Sequence, residues 1–309
     1  MSEHAALRSY SSEAGLLAAL RDSPSLVASH RRGIRERVAE AVAELRQAEA
    51  RVVAETGVQI ERLRVLDIGP GQHLMQMAYF AARGNHVEGV DRDVVVQGLD
   101  PRAYWRTARS NGLARALKTA GRKTLGIDRR YRAELERELG LTRPVGRLPV
   151  HQMNAWDLLL PDGSFDFVYS FRVFMHLHEP LPALRELVRV LAPGGVAYVD
   201  LMPYTGPSGC LDVRTLGGSR HELPPWAHLR PQHRHLVRES ANLNRLRLTD
   251  WRELFAELMP GHVELTSRPD AARLTVLAEE LRARGELLEY AVDELVTSGL
   301  QVVWRRLER

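Results

Sequence analysis

The stretch RVLDIGPGQH, residues 64–73, limits what this chain can fold into more than any other. An apolar run carrying a single acid ends in two glycines one residue apart, and HLMQMAYFAARG, apolar enough for a buried helix, follows to Gly84. HVEGVDRD then reads as a second strand ending in acids. Strand, turn, helix and strand in about 30 residues make a βαβ unit, whose strands run parallel and whose crossover needs a helix.

The alternation resumes further on. FDFVYSF (165–171) reads as a strand entered through Asp162-Gly163. LPALRELVRVL (181–191) reads as a helix with Leu184, Leu187, Val188 and Leu191 on one face, APGG stops it, and VAYVDLM (196–202) is the next strand. TDWRELFAELMPG is a capped helix, with Thr249 or Asp250 as N-cap and Pro260-Gly261 as stop. HVELTSR is a strand, one or two helices span 271–297, and LQVVWRRL is a closing strand. Ahead of the first strand, residues 12–60 read as helices, with Ile34, Val38, Val42, Leu45 and Ala48 at helical spacing and Gly57 as the stop. The expected fold is α/β, a Rossmann-like, mainly parallel sheet with helices on both faces, plus N-terminal helices and a helical insert. In such sheets ligands lie beyond the carboxyl ends of the strands, where the strand order switches. That places Gly69–Gly71, Asp91, Asn154–Asp157 and Ser170–His178 around one crevice.

No run approaches the ~20 apolar residues of a membrane span, and the first residues lack a signal-peptide core. A single cysteine, Cys210, excludes an internal disulfide and a cysteine-cluster metal site, and the expected setting is cytoplasmic.

A glycine turn after a strand can serve a phosphate, a dinucleotide or S-adenosylmethionine. A phosphate loop needs Lys-Ser/Thr after its last glycine, and Gly71 is followed by Gln72-His73-Leu74. A dinucleotide fingerprint needs a third glycine where Leu74 stands. The pair alone is equally compatible with an ordinary tight turn. Context adds to it: Asp91 ends the second strand 20 residues after Gly71, where a carboxylate accepts both ribose hydroxyl hydrogens, and Asp67 can order the loop or meet an ammonium group.

The ordered set VLDIGPG, GVDRD, NAWDLLLPDGSFDFVYS and RVLAPGGVAYVDL resembles the class I S-adenosylmethionine-dependent methyltransferases over roughly residues 62–202. The resemblance implies S-adenosyl-L-methionine as cofactor. Gly69, Pro70 and Gly71 would pass its amino-acid part, Asp91 would hold the ribose with Arg92 also among the cofactor-binding residues, and Asn154, Ala155 and Trp156 would frame the adenine. Asp67, His73 and Ser170 complete the expected cofactor-binding set. His73 replaces a glycine common in the family, so its side chain would crowd or join the methionine end. Asn154 replaces a common Asp and can still accept from the adenine amino group through its carbonyl oxygen. Trp156 is as well suited to packing as to stacking on adenine. In domain terms, a helical region at 1–60 precedes a methyltransferase domain at 61–309, with a basic helical insert at 94–150 and an acceptor-covering loop region at 203–247.

Methyl transfer from a sulfonium is an in-line displacement, and a hydroxyl acceptor also needs a base. FRVFMHLHEP, after the fourth strand, offers His176 and His178 as candidates. The His176 position is also a frequent structural histidine in the family. The long segment 203–247, rich in Gly, Pro and His, holds Tyr204, His221, Trp226 and His228 as acceptor-binding candidates. No histidine spacing matches a zinc pair, and no metal is expected. The expected reaction is O-methylation of a small-molecule or glycan-like acceptor. The alternatives are N-methylation of a small molecule and a catalytically idle S-adenosylmethionine-binding regulatory protein.

Residues 94–150 carry thirteen Lys/Arg against five Asp/Glu in a chain whose net charge is only +4. They read as helices, with Trp105, Ala108, Leu113, Leu117 and Leu125 as buried candidates. The block is either a solvated cap or a surface for an anionic acceptor or an acidic membrane surface. Nucleic acid and a membrane span are not expected among the partners, and a homodimer is allowed.

Overall fold

The structure, a computed structural model, describes residues 33–98, 100–124, 126–212, 223–239 and 242–308. The part of the expected helical region 12–60 that precedes residue 33, and the candidate His221, lie outside the described residues. Helix α1 (Ile34–Thr56) buries Ile34, Val38, Val42, Leu45 and Ala48 along one stripe and ends at Gly57. β1 (Arg64–Ile68), α2 (Met75–Ala82) and β2 (His86–Asp91) form the βαβ unit. Three helices follow, α3 (Pro101–Asn111), α4 (Leu113–Thr124) and α5 (Ile127–Glu138), before β3 (Val150–Gln152). β4 (Phe165–Phe171), α6 (Pro180–Val190) and β5 (Leu191–Leu201) continue the alternation. After α7 (Leu248–Leu258) and β6 (Val263–Ser267), α8 (Ala271–Ala283) and α9 (Val292–Val296) lead to β7 (Gly299–Arg305).

The strands form one seven-stranded sheet in the order β3-β2-β1-β4-β5-β7-β6. All neighbours are parallel except β7, which runs antiparallel to both β5 and β6. The chain moves outward from β1 to β3 and then returns to β4 on the other side of β1, so the order switches between β1 and β4.

Side-chain alternation sends the two halves of each strand to different layers. Val65, Phe167, Tyr169, Val196 and Tyr198 pack against α1, α2 and α5. Leu66, Ile68, Val168, Ala197 and Val199 pack against α6 and α7. A third apolar cluster joins Trp226 and Leu229 to α8 and α9.

Two local expectations are corrected. Thr249 and Asp250 do not cap α7; Arg247 holds that position, and the Asp250 carboxylate reaches back one turn to accept from the Arg247 backbone N–H at 2.8 Å. Trp105 and Leu117 are not buried: they are 61% and 51% exposed, and Ala108 is half-buried. The inner face of α3 uses small residues instead, Ala103 and Thr107, because it packs closely on Val94 and Val96. Leu125 and the side chain of Leu113 lie outside what is described.

Candidate functional site

A crevice of about 800 Å³ opens at the carboxyl ends of β1, β2 and β4, at the switch in strand order. Its floor is the glycine turn. Gly69 adopts φ +86°, and a Cβ there would stand 2.3 Å from Val173 Cγ2, so the turn and the loop after β4 meet at a distance that only glycine permits. Gly71 also has a positive φ, but a Cβ there would meet nothing within 4 Å, so the backbone is open toward a ligand. The Gly69 N–H donates to the Val90 carbonyl at 2.8 Å, which ties the turn to β2.

Asp91 closes this frame. One carboxylate oxygen accepts from Gly71 N at 3.2 Å and the other from Asp93 N at 2.8 Å. Both of these bonds come from backbone N–H groups, and a carboxylate oxygen can accept more than one hydrogen bond. Met153 N donates to the Asp91 carbonyl at 3.1 Å, which brings Asn154, Ala155 and Trp156 onto the same crevice. Arg92 lines it too, its guanidinium 4.0 Å from Asp93. Trp156 lines the crevice while packing on the α6–α7 core.

Other candidates are placed behind this surface. Asp67 is buried beneath the turn and accepts from the Tyr169 hydroxyl at 2.8 Å; burial pushes its carboxyl well above the ordinary range, and the Asp91 charge adds to that push. Pro70 is buried beside Gly89, and Ser170 donates its hydroxyl to the Ile68 carbonyl at 2.9 Å across β1 and β4. None of these three lines the crevice. His73 turns away from it as well: its ring lies 4.8 Å from that of Tyr131, and Nδ1 lies 3.6 Å from Asp128, both on α5.

The facing wall of the crevice is built from the loop after β4 and a strap whose described residues are 237–239 and 242–247. A short 3-10 turn, Phe174–His176, presents His176, and His178 and Glu179 follow on the crevice wall. Opposite stand Glu239, Asn242, Leu243 and Arg245. Asn244 fastens the strap, donating both amide hydrogens at 3.0 Å to the carbonyls of Phe174 and Leu177, while its backbone N–H reaches Met175 O at 2.9 Å. His176 Nδ1 lies 2.8 Å from the Asn242 carbonyl. A carbonyl only accepts, so Nδ1 carries the proton and Nε2 is the basic nitrogen of the neutral ring. Burial lowers the His176 pKa below the ordinary histidine value, against a smaller opposing contribution from that carbonyl, so the ring is neutral at pH 7.

Tyr204, Trp226 and His228 do not line the crevice. Trp226 is 2% exposed within the α8–α9 cluster and donates its indole N–H to Leu295 O at 3.0 Å. His228 donates through Nε2 to Tyr204 O at 2.8 Å, and Tyr204 donates to Glu239 at 3.0 Å, so this pair supports the strap from behind. Among the described residues no cluster of His, Cys, Asp and Glu could hold a metal ion.

Two arginines on the crevice wall are held in ion pairs. Arg172 pairs with Glu44 of α1, and Arg245 pairs with Glu239 at 2.9 Å. No described residue of α3, α4 or α5 lines it, because α5 packs back on α1 and α2 rather than over the opening. The strap falls within the 203–247 region expected to cover the acceptor, but none of its crevice-lining residues was named from sequence. Its only signal, two asparagines and two arginines ahead of α7, takes meaning from contacts more than 60 residues away in the chain.

Just behind the site, Asp200 at the end of β5 is 4% exposed, and its Oδ2 has no hydrogen-bond partner. Burial pushes its pKa up to about 7, with Arg172 opposing and Glu44 reinforcing the shift. A carboxyl whose folded pKa exceeds its unfolded value favours folding only while protonated. That advantage is complete below about pH 4 and is lost as pH rises through 7. Asp200→Asn is therefore expected to be more stable than wild type at pH 8, by on the order of 3 kcal/mol, with the gain shrinking toward pH 4. Urea melts of both proteins across that range check it; a pH-independent difference would refute the assignment.

A profile of the methyltransferase domain family matches residues 109–199. Comparison with curated proteins returns no significant match. Among solved structures, an S-adenosylmethionine-dependent methyltransferase from Mesorhizobium loti aligns at 15% identity over 84% of this chain and 98% of its own, with a TM-score of 0.44. The phosphoethanolamine N-methyltransferase 2 of Haemonchus contortus, in complex with S-adenosyl-L-methionine, aligns at 14% identity over 85% of this chain and 52% of its own, at 0.45. The YcgJ protein of Bacillus subtilis aligns at 16% identity over 85% of this chain and all of its own (100%), at 0.40.

Proposed function

We propose that the chain is a class I S-adenosylmethionine-dependent methyltransferase that methylates a hydroxyl group of a small, polar acceptor, with His176 as the base. The observation carrying this reading is the bond between His176 Nδ1 and the Asn242 carbonyl at 2.8 Å, which leaves a neutral imidazole with Nε2 as proton acceptor on the crevice wall.

The residues present suit the cofactor. The Asp91 carboxylate, fixed by two backbone N–H groups, matches the two ribose hydroxyls, and the open backbone at Gly71 leaves room beside it. Asn154, Ala155 and Trp156 would flank the adenine, and Gly69 and Gly71 the amino-acid end. When bound, S-adenosylmethionine supplies a methyl group on a sulfonium, an electrophile that needs no metal. The protein would align the acceptor oxygen, and His176 Nε2 would take its proton as the oxygen–carbon bond forms and the carbon–sulfur bond breaks to leave a neutral thioether. The strap holds that ring through Asn242, and Asn244 holds the strap.

The pairing of Arg172 with Glu44 and of Arg245 with Glu239 supports an uncharged polar acceptor over an anionic one. The test is incubation of the pure protein with methyl-labelled cofactor and fractionated small-molecule extract, then identification of the labelled product. A methyl ether is expected. A labelled methylamine would establish N-methylation instead. Tight S-adenosylhomocysteine binding with no transfer to any fraction would favour a regulatory role.

A further inference from the structure

The positive charge concentrated on the inserted helices does not face the crevice, so the proposed reaction leaves it unexplained. We propose that the outer face of α3 docks on an anionic lipid bilayer surface. The buried side of α3 is narrow, formed by Ala103 at 4% and Thr107 at 2% exposure. Arg102, Trp105, Arg106 and Arg109 fall within about a third of the helix circumference on the opposite side, and all four are exposed. The helix contains no acidic residue, and none of these arginines makes an ion pair among the described residues.

Trp105 stands 61% exposed, with the Arg109 guanidinium 5.4 Å from its ring centroid, and Leu117 on α4 is 51% exposed. An indole surrounded by guanidinium groups suits the headgroup region of a membrane, where the ring enters the interface and the cations meet lipid phosphates. Single-stranded nucleic acid uses a basic groove with successive stacking rings, whereas here one tryptophan stands on an outward helix face. No described helix is long and apolar enough to cross a membrane, so the contact is peripheral.

The test uses the full chain with phosphatidylcholine vesicles, with and without about 30% phosphatidylserine, at low salt and at about 0.5 M salt. Co-sedimentation is expected only with the anionic vesicles at low salt. Replacing Arg102, Arg106 and Arg109 together by Gln should lower partitioning about 100-fold, with the circular dichroism spectrum unchanged. Brominated lipid should quench tryptophan fluorescence in the wild type and not in Trp105→Phe, since Trp226, Trp251 and Trp304 are buried and Trp156 is half-buried. Absence of vesicle binding, equal binding to neutral vesicles, or an unaffected triple variant would overturn the proposal. So would retention of the same face by RNA or poly-glutamate but not by anionic vesicles.

Discussion

Asp91→Ala is expected to weaken S-adenosylhomocysteine binding about 10²–10⁴-fold, measured by titration calorimetry. The range follows from two charge-assisted hydrogen bonds to the ribose at ~1.5–3 kcal/mol each. The loss also reaches the floor of the site, because the same carboxylate accepts from Gly71 N at 3.2 Å and Asp93 N at 2.8 Å. Asp91→Asn separates the two effects. It keeps one acceptor oxygen for the turn but puts a donor where a ribose hydroxyl must donate, so it should lie between wild type and Ala. Unchanged affinity in a folded Asp91→Ala protein would remove the ribose assignment.

The second large effect is expected at His176. His176→Ala should lower kcat about 10²–10⁴-fold while leaving cofactor affinity near wild type, since a positioned base contributes on that scale. The pH profile carries the sharper information. The base must be unprotonated, so the wild-type rate should rise as His176 loses its proton and stay level above that point. Burial lowers the pKa of this group, so the rise should fall below the ordinary histidine range. Breaking the strap with Asn244→Ala frees the Asn242 carbonyl from its place over Nδ1 and should move that rise as well as lower kcat. A profile unchanged in both variants would mean that His176 only packs, and that the acceptor loses its proton without help from this ring.

The local pattern was written in the chain. Apolar runs bounded on one side by acids or glycines predicted β1, β2, β4 and β5, and the spacing of Ile34, Val38, Val42 and Leu45 predicted the buried stripe of α1. The glycine turn and the acid 20 residues after Gly71 were legible because backbone conformation and chain order alone bring them to the end of adjacent parallel strands. β3 was harder to see, since three residues are too few to show an alternation.

The direction in which side chains leave those elements depended on what packs against them. His73 follows the glycine turn by two residues yet faces Tyr131 and Asp128, because α5 returns from the insert to cover that side of the sheet. Trp226 and His228 look like binding residues in a loop rich in Gly, Pro and His, but α8 and α9 supply the apolar surface that buries Trp226, and Tyr204 offers the carbonyl that holds His228. Trp105 looks like a core residue, but among the described residues of α3 it is Ala103 and Thr107 that are buried. The tautomer of His176 rests on a carbonyl 66 residues later in the chain. The sequence by itself determined which elements form and where the switch point carries its glycines and its acid, because those depend on neighbours along the chain. Only the tertiary structure decided which side chains reach the crevice, because each such outcome depends on a partner that folding brings from far away.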